Sequence, residues 1–280
     1  MVAVFNRSFS LPGSPRPKPD PKKSYHVRSI SLPCRSHPLI SQLEDDIRSV
    51  TNWVSSAPVS ASYLCDGLSR LDLLHTSLND LLNLPQSQDS LRRGSGSEWT
   101  DRILNDFLRL ADAHGCFRSE LITIAQQKSD AQVAIRIQDK LNISLCTRSI
   151  RKSEKELVKI ASSLKEISKS QVGLRFTNGV EEAELAGVIR EVISVTVSAL
   201  AAVFLGVADV ASTATGGKNS SWTPLRRLST SKSFRGLGEE SSTERFEVAE
   251  ERVRGVESKS ESLFRCLVNI RVSLLNILTC

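Results

Sequence analysis

A chain of 280 residues with 40% hydrophobic content has ample material for a sizeable core, and its 5% aromatic content is low for a pocket-rich enzyme. The net charge of +6 comes from one end: residues 1–43 hold Arg7, Arg16, Lys18, Lys22, Lys23, Arg28 and Arg35 against Asp20 alone, which leaves thirty basic and thirty acidic residues in 44–280. A neutral body lacks the basic stripe with which a folded face reads nucleic acid, so no nucleic-acid partner is expected.

Seven of the ten prolines fall at or before Pro38, including the alternation from Pro15 to Pro21. Such a segment can neither bury apolar surface nor build a hydrogen-bonded ladder, so residues 1–36 are expected to be a disordered, basic, Ser/Pro-rich regulatory tail. Two copies of R-S-x-S-x-P lie in it: Arg7-Ser8-Phe9-Ser10-Leu11-Pro12 and Arg28-Ser29-Ile30-Ser31-Leu32-Pro33. This is the form in which basophilic kinases and 14-3-3 phosphopeptide-binding proteins recognise a serine. Phosphate on Ser10 or Ser31 adds close to two negative charges and three oxygens that an arginine cluster can clamp. Arg7 and Arg28 serve the kinase, and Pro12 and Pro33 turn the peptide out of the groove. The serines are 21 residues apart, a relaxed span on the order of 25 Å or more. That suits both grooves of a 14-3-3 dimer, where the second contact gains from effective concentration.

His37-Pro38 leads into a first helix, with Leu39, Leu43, Ile47, Val50 and Val54 at helical spacing and Glu44–Asp46 assigned to the positive end of its dipole. A second helix is expected over about Ser60 to Leu84, ended by Pro85, with Leu64, Leu68, Leu71, His75, Leu78 and Leu82 on one face. A polar loop through Gly94-Ser95-Gly96 follows. It contains Arg92-Arg93-Gly94-Ser95, an R-R-x-S kinase site at Ser95. A third helix starts near Glu98 and carries Ile103, Phe107, Leu110, His114, Phe117, Leu121 and Ile124. A fourth is read from about Asp130 to Val172 on a 3-4 seam from Ile143 to Ile167, with Ser153-x-x-Glu156 leaving open whether it is one helix or two.

Asn178-Gly179 breaks the chain, and Glu181, Glu182 and Glu184 are read as N-terminal acids of a fifth helix. Residues Val192 to Ala208 carry no charge over 17 positions, near the lower limit for crossing a bilayer. Their serines, threonine and alanines make a central helix, packed closely on several sides, the expected role. A basic linker at 211–240 follows, with a second R-R-x-S at Arg226-Arg227-Leu228-Ser229. Ser241-x-x-Glu244 then opens a last helix with four to five heptads of apolar seam. No strand pattern occurs. The expected fold is all-α: an elongated antiparallel helical bundle over 37–280 with coiled-coil-like long helices.

The six cysteines are scattered, with no C-x-x-C pair or histidine at metal spacing, so reduced thiols are expected and neither metal nor cofactor. His75 and His114 fall on apolar faces, where a hydrogen-bonded core role is expected. No nucleophile elbow, H-E-x-x-H pair or P-loop is present, so no catalytic residue is assigned and a non-enzymatic protein is expected.

Three stretches carry a family resemblance: His26-Val27-Arg28-Ser29-Ile30-Ser31-Leu32-Pro33-Cys34-Arg35-Ser36-His37-Pro38; Leu108-Arg109-Leu110-Ala111-Asp112 with Gly115 and Arg118; and Leu263-Phe264-Arg265 with Arg271-Val272-Ser273-Leu274-Leu275-Asn276-Ile277-Leu278. On these the chain resembles a plant-specific domain-of-unknown-function family related to the BYPASS-type proteins. The resemblance implies a role in root and shoot development and transfers no enzymatic residue. Arg7–Pro12 lies upstream of the usual family start.

Together these features lead us to expect a cytoplasmic regulatory or scaffold protein with a phospho-regulated tail. Its expected partners are proteins, among them a 14-3-3 protein and a basophilic kinase, and its oligomeric state is left open. The alternative is a peripheral membrane adaptor using the apolar helix 185–208 or the basic linker 218–235. An organelle-targeting role for the N-terminal segment is the alternative to a cytoplasmic location.

Overall fold

Seven α-helices make up nearly all of the structure, a computed structural model that describes residues 38–56, 61–169, 180–214 and 240–279. They are α1 (Pro38–Ser55), α2 (Ala61–Leu82), α3 (Pro85–Arg93), α4 (Glu98–Arg136), α5 (Lys140–Lys169), α6 (Val180–Ala214) and α7 (Glu240–Thr279). No strand occurs among the described residues. At 1.5 Å rise per residue, the 39 residues of α4 span roughly 58 Å.

Specific side-chain contacts set the directions of the helices. Ser77 of α2 donates to Asp46 of α1, and Trp53 of α1 stacks on Tyr63 of α2, so these two run antiparallel. Trp99 of α4 meets Glu182 of α6, and Phe117 stacks on Phe204 further along, so α4 and α6 run parallel. His114 of α4 meets Ser260 of α7, while Ser95, just before α4, meets Leu278, so α7 runs back against α4. Asp72 with Ser262 and Asn79 with Ser273 make α2 parallel to α7. The antiparallel pairs are thus α1 with α2, α4 with α7 and α6 with α7, and the parallel pairs are α4 with α6 and α2 with α7.

The central element is α6, which contacts every other helix. Leu185, Ile189, Val192, Ile193, Leu200, Val203 and Phe204 are all buried on it. Its alanines and Gly206 permit the close approach: a Cβ on Gly206 would lie 2.6 Å from Cδ2 of Leu64. The aromatic centre is the Phe117–Phe204 stack, with ring centroids 4.2 Å apart, worth about 0.5–1.5 kcal/mol beyond its buried area. The seam expected on α7 is buried from Val256 to Ile277 and faces α2 and α4 within the same chain.

Several expected boundaries move. The polar stretch after Pro85 is not all loop: Pro85–Arg93 is a helix, with proline in the first turn where a missing N–H costs nothing. The buried face of α1 is Ile40, Leu43, Ile47, Val50 and Trp53, with Leu39 and Val54 only half-buried. Glu44–Asp46 stand a turn or more inside α1, beyond the reach of its N-terminal dipole; Asp46 instead accepts from Gln42 and Ser77. The helix expected from Asp130 starts at Lys140, because α4 continues to Arg136. The break is a Schellman motif without glycine. Gln138 has φ 59°, its N–H reaches the carbonyl of Ile135, and the N–H of Asp139 reaches Ala134 at 2.9 Å. Asp139 then caps α5, accepting from the N–H groups of Leu141 and Asn142. The helix α5 runs unbroken through Ser153, and α6 continues to Ala214, past the expected linker start at 211.

Candidate functional site

Of the serines singled out in the sequence, Ser95 lies among the described residues. Ser10, Ser31 and Ser229 lie outside them, as do Arg7, Pro12, Arg28, Pro33 and the linker 218–235. Ser95 is exposed on the turn between α3 and α4. Its N–H bonds the carbonyl of Arg92, Gly94 N–H bonds Ser90, and Gly96 takes φ 75°, a left-handed conformation that suits glycine. The Ser95 hydroxyl donates to the carbonyl of Leu278 at 3.0 Å. That carbonyl is one of the last four of α7, which have no partner within their own helix. One kinase-type serine therefore ties the α3–α4 turn to the end of the last helix.

The turn rests on a buried polar support. The Thr100 hydroxyl donates to the carbonyl of Gly94 at 3.0 Å. Trp99 lies beneath, and its indole N–H donates to Oε1 of Glu182 on α6. A Cβ on Gly94 would fall 2.8 Å from the Trp99 ring and 3.0 Å from that carboxylate, so this position requires glycine for close approach. Glu182 is thus more than an N-terminal acid of α6: it is 3% exposed and joins α6 to α4. Its Oε2 and the hydroxyls of Ser87 and Ser90 are buried without hydrogen-bond partners. Arg92 and Arg93 point to solvent from the last turn of α3, near Asp89.

Both core histidines are committed to packing. His75 donates from Nδ1 to the carbonyl of Leu71 at 2.7 Å, and Nε2 faces the Thr196 hydroxyl at 3.2 Å. His114 places Nε2 at 3.0 Å from both the carbonyl and the hydroxyl of Ser260, while its Nδ1 is buried without a partner. Burial pushes the pKa of each down to about 4, against opposing hydrogen bonds to Leu71 and Ser260. Each therefore sits in the core as neutral imidazole.

One buried cation escaped the sequence reading. Lys128 of α4 is fully buried, its Nζ has no hydrogen-bond partner, and burial lowers its pKa to about 8. The visible signal is its place in the apolar series Leu121, Ile124, Lys128, Ala131.

A surface cavity of about 770 Å³ opens between α1 and α2, lined by Asp45, Arg48, Ser49, Trp53, Tyr63 and Arg70 among others. Its floor is a reciprocal clamp: the Trp53 indole donates to the Tyr63 carbonyl at 3.1 Å, and the Tyr63 hydroxyl donates to the Trp53 carbonyl. Arg70 pairs with Asp66, and Arg48 with Asp45, so the wall carries no net charge of either sign. Cys65, Cys116, Cys146 and Cys266 are free thiols, and burial with Asp72 nearby raises Cys266 to about 11. No group of three metal-ligating side chains occurs among the described residues. Two helices, Glu182–Ser212 and Arg254–Thr279, are long and apolar enough to cross a membrane by length and composition. In the bundle, α6 spends its apolar surface on its neighbours.

Comparison with protein families gives one match: the family model described as Protein BPS1 covers residues 67–277. No curated protein and no solved structure matches the chain. The match contains the Leu108–Arg118 stretch and the closing stretch as far as Ile277; the His26–Pro38 stretch lies upstream of it.

Proposed function

This chain belongs to the BPS1 family, membership of which supports a role in plant development, and from that premise we propose that it is a non-enzymatic, kinase-regulated helical scaffold of the cytoplasm. The bundle offers helical faces to protein partners. A basophilic kinase acts on Ser10 and Ser31 in the tail, and on Ser95 and Ser229 in the interhelix segments. The phosphorylated pair in the tail recruits a 14-3-3 protein, with Arg7 and Arg28 serving the kinase and Pro12 and Pro33 the recognition groove.

The observation that carries this reading is the bond from Ser95 to Leu278, since it gives one R-R-x-S serine a structural consequence when modified. Support also comes from the histidines: both are held by hydrogen bonds inside the core, which leaves them a structural part rather than a catalytic one. The test is affinity capture from plant tissue with mass spectrometry, comparing wild type with Ser10→Ala/Ser31→Ala and, separately, Ser95→Ala. A 14-3-3 protein captured by wild type and lost with the tail double mutant is the expected result. An unchanged partner set in the tail mutant would remove the tail from the mechanism.

A further inference from the structure

The α4–α5 hairpin ends in a tip whose apolar side chains are exposed, with no other described helix covering them. Val133 and Ile137 on α4 are 56% and 67% exposed, and Leu141 and Leu145 on α5 are 71% and 54% exposed. Each pair is spaced by four residues, and all four lie within two turns of the break at Gln138. Among the described residues, α6 stops short of them and α7 begins about level with Val133. Phe117 stacks on Phe204, so Ala214, ten residues later at the end of α6, is level with residue 127. Ile137 therefore stands about ten residues, or roughly 15 Å, beyond the end of α6. His114 against Ser260 likewise places Glu240, the first residue of α7, level with residue 134. The turn is thus the end of the hairpin, carried past the described end of α6.

Its charge leans positive. Counted to equal depth on both arms, residues 124–152 hold the exposed cations Arg136, Lys140, Arg148, Arg151 and Lys152 against Asp130 and Asp139. The Asp139 carboxylate is already engaged by the first N–H groups of α5 and by the Asn142 amide. An apolar end ringed by cations fits one kind of surface: apolar side chains enter the headgroup–acyl boundary while the cations meet anionic phosphates. A second copy of the chain would oppose the same cations to each other. Exposed leucine and isoleucine clustered at a helical end also exceed the scattered apolar residues normal on a soluble surface.

We propose that the α4–α5 tip is a membrane-docking element that inserts Ile137, Leu141 and their neighbours into an anionic phospholipid surface. This site is distinct from α6 and from the linker 218–235, and it does not depend on the tail phosphosites. Docking through it would hold the scaffold on a bilayer with the long axis of the hairpin directed at the membrane.

The test is flotation of the full-length protein with phosphatidylcholine vesicles, with and without phosphatidylserine, alongside sedimentation velocity. Wild type is expected to float with the phosphatidylserine vesicles. Ile137→Ser/Leu141→Ser and Lys140→Glu/Arg148→Glu should each reduce the bound fraction about tenfold or more while leaving the helical circular dichroism and the melting temperature unchanged. A variant with Lys218, Arg226, Arg227, Lys232 and Arg235 all changed to Gln should still show that tip-dependent loss. Three results would overturn the proposal: wild type that does not float, tip variants that float like wild type, or a tip variant that only converts a dimer to a monomer.

Discussion

Lys128 shows how far a single side chain can stand against the fold that contains it. Its amine is fully buried without a hydrogen-bond partner, in a seam otherwise made of Leu121, Ile124 and Ala131. An unpaired ammonium in such a place is costly, and its pKa of about 8 against an ordinary 10.5 reflects that burial. The sign follows from linkage. At pH 7 both folded and unfolded chains carry the proton, so the full penalty applies. Between pH 8 and 10.5 the folded state releases its proton first, and stability rises with pH. Lys128→Met keeps the length of the side chain and removes the charge, so it should raise stability at pH 7 by about 1–3 kcal/mol in urea denaturation. It should also abolish the gain between pH 8 and 10.5. A variant that instead loses stability would mean that the amine is satisfied in the native state. The lysine was visible in the sequence as a break in the 3-4 pattern, but whether it lay inside the core or at its edge depended on how the helices pack around α4, which only the fold supplies.

At the scale of elements, the end of α7 is held by a residue 183 positions away in the chain. The last carbonyls of a helix carry the negative end of its dipole, and the Ser95 hydroxyl satisfies one of them. Phosphate at Ser95 removes the donor and sets close to two negative charges beside that end, so two effects act in the same direction. Ser95→Ala should cost about 0.5–1.5 kcal/mol, and Ser95→Glu or phosphorylation should cost more. Amide exchange over residues 274–279 should accelerate in that order, while exchange at the centre of α6 stays unchanged. Equal protection in all three forms would show that the bond does not restrain α7. This contact was out of reach of the sequence, because local patterning identifies the R-R-x-S site but not what lies across from it. Helix boundaries divide along the same line. The face of α2 was legible because Leu64, Leu68, Leu71, Leu78 and Leu82 repeat with one period. The α4–α5 break was not, because a glutamine takes the left-handed position where glycine usually announces a helix end, and the apolar period continues on both sides. In α3, polar composition concealed a helix that proline starts and whose few buried residues, Ser87, Ser90 and Leu91, form no recognisable apolar stripe.

For the whole molecule, the all-α bundle could be read from periodicity, because long amphipathic helices can only bury their stripes against one another. The arrangement around α6 was legible only in part: its uncharged stretch marked it as central, whereas its polar contacts, to His75 through Thr196 and to Trp99 through Glu182, required the register between helices. The two histidines belong at this scale because their ties join distant helices. His75 links α2 to α6, and His114 links α4 to α7 while lying 6.0 Å from the Phe204 ring of α6. Each has a folded pKa of about 4 against an ordinary 6.5, with burial the leading cause, and Arg118 further disfavours charge on His114. A depressed folded pKa means that the unfolded chain takes up the proton first as pH falls from 6.5 to 4. Stability is therefore constant with respect to these groups above pH 6.5, declines through that window, and has lost its full histidine contribution below pH 4. The ceiling is about 3 kcal/mol for each histidine. Because both sit at junctions of the core helices, the loss should be global rather than confined to one element. Urea midpoints measured between pH 7 and 4 should fall together by circular dichroism and tryptophan fluorescence, and His114→Asn should flatten the fall relative to wild type even if it lowers the midpoint at pH 7. A midpoint that declines as steeply in His114→Asn and in the corresponding His75→Asn variant would assign acid lability to the carboxylates and leave the histidines as neutral spacers.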